Sequence, residues 1–109
     1  MGSKKQIREN FRNSVFKRDK NTCQVCGKKH TDIENIDAHH VTDRTEMPYG
    51  GYVKENGITV CKEDCHFRVE LFHINEGSSW EEGLHPDDLY KKINSSKELA
   101  IQKSNELEV

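Results

Sequence analysis

The chain has 109 residues, of which 32% are hydrophobic and 33% charged, and its formal net charge is −2. That is sequence enough for one domain but lean material for a core, so a metal or disulfides are expected to help hold it together. No segment approaches the roughly 20 apolar residues of a membrane span, and MGSKKQIREN has no apolar run of the signal-peptide kind.

The near-neutral total hides an asymmetry. Residues 1–30 carry nine Lys/Arg against Glu9 and Asp19, whereas residues 31–109 carry eight basic and seventeen acidic side chains. The first helix expected is QIRENFRNSVFKRD, in which Ile7, Phe11 and Val15 recur every four residues. Its outer face holds Arg8, Arg12, Lys17 and Arg18, suited to a phosphate backbone or simply to solvent. A turn-rich knuckle, NTCQVCGKKH, follows with Cys23 and Cys26.

Residues 33–41 read as a short strand region ending in a histidine pair, His39 and His40. Neighbours in a strand point to opposite faces, so the strand is expected to lose regularity if both rings are to reach one place. Residues 42–55 read as a loop, and Asn56-Gly57 as a tight turn before the strand ITVC. KEDCHFRVELFHINEG reads as a helix with Cys65, Val69 and Phe72 on one side, Asp64 in its first turn and Gly77 at its stop. Pro86 can open a helix running to Ile93, and Ser95 with Glu98 has the capping-box spacing for a last helix ending near Glu106.

Two groups of residues carry chemistry. Cys23-x2-Cys26 and Cys61-x3-Cys65 can close a tetrahedron of thiolates around Zn²⁺ with no open position, which makes the site structural. Four unrelated buried thiols is the plainer alternative. A cytoplasmic, reducing location favours metal over disulfides. Zinc binding in small modules is worth roughly 10–16 kcal/mol, against about 5–15 kcal/mol for the stability of an ordinary domain. The second group is His39, His40, Asn56 and His66, brought together if both strands and the helix meet. Neutral imidazole is both a metal ligand and a fit general base.

In VFKRDKNTCQVCG, IDAHHV, ENGITVC and CHFRVE the chain resembles the HNH endonucleases, the ββα-metal nucleases, in their zinc-stabilised phage and bacterial form. The resemblance covers about residues 12–70 and rests on four separated motifs. It implies an α+β fold: a two-stranded antiparallel hairpin plus helix, an N-terminal helix, a four-cysteine zinc site and a helical C-terminal extension. It also implies a single nuclease domain over residues 1–109, with its motif core at about 12–76 and the extension at about 77–109. Carried over by position, His40 is the general base, while His39 and His66 hold the catalytic divalent metal. Asn56 holds the loop and helps orient the base, and Cys23, Cys26, Cys61 and Cys65 are the zinc ligands.

The implied reaction is hydrolysis of DNA phosphodiester bonds with Mg²⁺ or Mn²⁺, giving 5′-phosphate and 3′-hydroxyl ends. It would take place in the cytoplasm, with a phage-encoded protein acting in its host cell as one setting. The chain departs from the pattern at Glu70, where many members have a further histidine four residues after the last one. Glu70 is then a metal ligand, an acceptor for His66 or a solvated carboxylate. Asp37 can orient a histidine or stand exposed, and His30, His73 and His85 read as surface or packing residues. The rival is a non-catalytic zinc-stabilised nucleic-acid-binding module. The acidic C-terminal part offers other phage or host proteins a surface, and both a monomer and a homodimer fit the pattern.

Overall fold

The computed structural model describes residues 3–107. Helix α1 (Lys4–Asp19) starts at Ser3, whose side chain accepts from the Gln6 N–H, and ends on Lys20 in a left-handed conformation. Ile7, Phe11 and Val15 are buried as their spacing requires, and Phe16 and Asp19 join them. A short 3-10 turn over Ile33–Asn35 precedes strand β1 (Ile36–His40), so the strand is shorter than the sequence suggests. Strand β2 (Gly57–Cys61) pairs with it antiparallel, from Ile36 opposite Cys61 to His40 opposite Gly57. Helix α2 (Cys65–Ile74) follows, then α3 (Pro86–Lys92) and α4 (Lys97–Ser104). The architecture is α+β: a two-stranded antiparallel hairpin with helices on both faces.

The alternation of β1 sets these layers. Ile36 and Ala38 pack with Phe11, Val15 and Phe16 of α1. On the other face, Ile58 and Val60 of β2 pack with Cys65 and Val69 of α2 and with Leu89, Tyr90 and Ile93. Asp19 ties α1 to the hairpin, because its carboxylate accepts from the Thr59 N–H at 3.0 Å. Arg18 pairs with Asp19 at 2.7 Å and donates to the Gly57 carbonyl at 2.7 Å and to that of Lys54. Arg18 is therefore structural, and the phosphate-facing set expected on this helix shrinks to Arg8, Arg12 and Lys17.

The C-terminal helices differ from expectation in one detail. Ser96 is the residue that caps α4, accepting from the Leu99 N–H at 3.0 Å. Ser95 instead donates to the Glu55 carbonyl at 2.8 Å, anchoring the helix pair to the loop before β2. Helix α2 ends at Ile74, earlier than Gly77, which sits at φ +81 and donates to the Phe72 carbonyl at 2.8 Å. Among the described residues no helix is long and apolar enough to cross a membrane.

Gly57 shows how tightly α1 lies on the hairpin. A β-carbon there would fall 2.5 Å from Val15 Cγ2 and 2.7 Å from Phe11 Cε1. Gly57→Ala is therefore expected to overpack this contact and lower stability by about 1–3 kcal/mol, measured by denaturant unfolding. An unchanged midpoint would mean that α1 can move off the strand at no cost.

Candidate functional site

β1 remains regular to its end, with His40 opposite Gly57, so the two histidines point to opposite faces of the hairpin and not to the same one. The expected loss of regularity does not occur. His39 and Asp37, two residues apart, face α2, where they meet His66 and Glu70. His39 Nδ1 lies 2.9 Å from Glu70 Oε1, and His66 Nε2 lies 3.3 Å from the same oxygen. On its other side, His66 Nδ1 is 2.8 Å from Asp37 Oδ2. One ligand atom from each of His39, His66 and Glu70 falls within 4.8 Å of the others, a set that could hold a metal ion.

The chemistry of these groups fits a cation. His39 is 1% exposed, and both its ring nitrogens are buried without a hydrogen bond, the approach of Nδ1 to Glu70 being poorly aligned for one. Burial lowers the pKa of His39 and keeps the ring neutral, with a lone pair to give. The facing rings of His39 and then His66 hold the Glu70 carboxyl well below the usual carboxylate range. His66 is pushed up, first by Glu70 and then by Asp37. Asp37 orients the His66 ring so that Nε2 faces Glu70, the carboxylate–histidine arrangement common behind metal ligands. Position 70, the departure noted in the sequence, thus joins the cluster, and Asp37 is engaged with it.

His40 lies on the α1 side. Its ring stacks on Phe11 at 4.6 Å between centroids and meets Tyr52 edge-on at 4.8 Å. Burial brings its pKa down to about 4, so the ring is neutral at pH 7, and Nε2 is buried without a hydrogen bond. His73, which reads as a surface or packing residue in the sequence, stacks on His39 at 5.2 Å and donates Nε2–H to the His40 carbonyl at 3.0 Å.

Asn56 is fully buried and clasps the loop beyond β1. Its Oδ1 accepts from the Thr42 N–H at 3.0 Å, and its Nδ2 donates to the Thr42 carbonyl at 3.0 Å and to that of Gly51 at 3.3 Å. A second donor comes from far along the chain. Tyr90 of α3 donates its hydroxyl to Asn56 Oδ1 at 2.7 Å and accepts from the Thr42 hydroxyl at 2.6 Å. In the sequence Tyr90 is marked only by its place beside Leu89 on a short helix; its polar role needs the tertiary fold.

The four cysteines form a second cluster, with all four sulfurs within 4.8 Å of one another. Burial opposes ionisation of Cys23, but the N–H groups of Cys26 and Val25, each 3.4 Å from its sulfur, bring it down to about 7. Burial and the neighbouring Cys23 push Cys65 up to about 11. Burial and the neighbouring thiols push Cys61 up as well, and four sulfurs converging in this way could hold zinc in a closed tetrahedral site. The knuckle is fixed to the hairpin by Gln24 N–H donating to the Thr59 carbonyl at 2.9 Å. His30 is also part of this surround, with Nε2 3.2 Å from Cys61 Sγ, and His85 accepts from the Asp87 N–H at the start of α3.

Residues 23–70 match the family model described as HNH endonuclease. Over this segment the chain is similar to the HNH endonucleases. The match runs from the first cysteine to Glu70 and so contains both clusters, His40 and Asn56, while α1, α3 and α4 lie outside it. HNH nucleases use divalent metals and act on DNA. No curated protein and no solved structure matches the chain.

If the cluster of His39, His66 and Glu70 takes a divalent ion, Asp37→Asn is expected to weaken binding about 10–100-fold by releasing the His66 ring. Glu70→Ala is expected to weaken it further. Calorimetric titration of Mn²⁺ into zinc-loaded protein measures both, and parental affinity in the Glu70 variant would remove that carboxylate from the site.

Proposed function

We propose that the protein is a metal-dependent endonuclease that hydrolyses DNA phosphodiester bonds, leaving 5′-phosphate and 3′-hydroxyl ends. The observation that carries this reading is the convergence of His39, His66 and Glu70 at the hairpin end that also bears the neutral ring of His40. His39, His66 and Glu70 would hold Mg²⁺, Mn²⁺ or another divalent ion. Such an ion, when bound, supplies the charge that polarises the phosphodiester and stabilises the leaving oxygen.

The chain's own residues do the rest. His40, with a free Nε2, takes the proton of the attacking water as general base. Phe11 and Tyr52 fix the plane of its ring, and the His73 N–H holds its carbonyl. Asn56 closes the loop behind it, so that the backbone leaving β1 keeps one course. Cys23, Cys26, Cys61 and Cys65 would hold Zn²⁺ and take no part in the chemistry. We take the whole chain as one domain, because Tyr90 and Ser95 of the C-terminal part bond directly to Asn56 and Glu55.

His40→Ala is expected to slow cleavage of supercoiled plasmid about 10²–10⁴-fold, the usual worth of a positioned acid–base group. Zinc content and DNA affinity should stay near parental values. Cleavage at the parental rate by the folded variant would remove His40 from the mechanism.

Protein purified without added metal is expected to carry about one zinc per chain, and Cys61→Ser to lose both the zinc and cooperative thermal unfolding. Elemental analysis and calorimetry check this, and a zinc-free parent with a sharp transition would contradict it.

Neutralising Arg8, Arg12 and Lys17 together is expected to weaken DNA binding and flatten its salt dependence. The log–log slope should fall by about 0.9 for each phosphate that is no longer neutralised. An unchanged slope would mean that α1 does not touch the backbone.

A further inference from the structure

On the α1 side of His40 lies a groove of about 390 Å³ that the matched family segment does not account for as a whole. Its walls are Lys4, Ile7 and Arg8 of α1 and Arg44, Thr45, Tyr49, Gly50 and Tyr52 of the loop between the strands. Three of these side chains are cationic and none is acidic. The flank on the other side is lined by Asp43, Glu46, His73 and Glu76 and is acidic, so a polyanion is drawn to the first side and repelled from the second.

The groove is aromatic as well as basic, and one of its aromatics is held in an unfavourable way. Tyr49 has φ +52, a conformation that bulky side chains rarely adopt, and it is 54% exposed. A bulky residue held in a left-handed backbone and still more than half exposed points to a use for what its ring presents to solvent. Gly50, at φ +82, lets the loop pass over Tyr52, since a β-carbon there would fall 2.6 Å from the Tyr52 ring. Tyr52 in turn meets the His40 ring edge-on, with the Arg8 guanidinium 5.8 Å from its own centroid. The groove therefore begins one side chain away from the proposed base.

We infer that this groove takes an unpaired nucleotide of a DNA strand next to the scissile phosphate, with its base on Tyr49 and its phosphate among Lys4, Arg8 and Arg44. Cations alone would suit an intact duplex, which offers a protein its phosphates. An exposed ring beside them suits a base that has left the stack, because stacking on aromatic side chains is the sequence-tolerant means by which single strands are held. This rests on the nuclease reading and narrows its substrate to DNA with unpaired nucleotides at the cleavage point, such as single strands, bulges or gaps.

The test is fluorescence anisotropy of zinc-loaded protein, without added divalent ion, on a labelled single strand, its perfect duplex and the same duplex with a two-nucleotide bulge. Tighter binding to the single strand and the bulge than to the duplex is expected. Tyr49→Ala should weaken those two about tenfold and leave the perfect duplex within about twofold. Tyr49→Phe should retain the parental preference. Tyr49→Gly, which suits a left-handed backbone, should keep the melting temperature at or above the parent's while losing the preference. Equal affinity for all three DNAs, or an equal loss on all three in Tyr49→Ala, would overturn the inference. Because binding is read without the catalytic ion, a protein that prefers unpaired DNA and cleaves none keeps this inference and loses the nuclease reading. One that binds and cleaves paired and unpaired DNA alike does the reverse.

Discussion

The side chain of Asn56 continues the hairpin past its last paired residues. Its amide offers Thr42 both an acceptor and a donor, as a facing strand residue would, and its own carbonyl accepts from the Val41 N–H at 2.8 Å. Backbone groups buried at a strand end need partners, and an amide is a neutral side chain that offers donor and acceptor together. The course of the chain after His40 depends on this clasp. Tyr90 reinforces it from 34 residues away, which makes the C-terminal helices part of the site's construction.

The two clusters occupy opposite ends of the same short hairpin. Cys61 ends β2 and Cys65 opens α2, and His66 follows directly in the same turn. Whatever fixes the sulfurs therefore fixes the helix from which His66 and Glu70 project. A chain with so few large apolar residues can keep such a helix in register if its first turn is tied at both the knuckle and the strand. Asp19 and Arg18 do the same for the opposite face by bonding α1 to the backbone of β2.

Much of this was legible in the order of the residues. Period-four spacing of Ile7, Phe11 and Val15 yields α1, and the two cysteine pairs mark the ends of what must meet. Four short motifs placed His39, His40, Asn56 and His66 in one region because each motif carries both its fold signal and its polar residue. Less was legible where a side chain's role depends on a partner distant in sequence. For Asp37 and Glu70 the sequence leaves a role at the site and plain exposure both open, and His73 and Tyr90 sit at ordinary positions; only the packing of α2 and α3 on the hairpin turns them toward the site. Arg18 misleads in the opposite sense, because a basic residue on a basic helix looks like a surface charge until the carbonyls of Lys54 and Gly57 are brought beneath it. Ser95 and Ser96 are inseparable by spacing, since either suits a cap and only the loop before β2 chooses between them.

Glu70 and Asp37 also bear on the order of events. If the protein acts as proposed, the two carboxylates beside the two imidazoles would repel a phosphodiester until a divalent ion had entered. A site of neutral imidazoles alone would let the ion and the nucleic acid arrive in any sequence. On that reading the carboxylates would link the two occupants, each raising the affinity for the other by the same factor. Approach from the basic flank would bring the polyanion to the hairpin end first, and the ion would decide whether it could settle there.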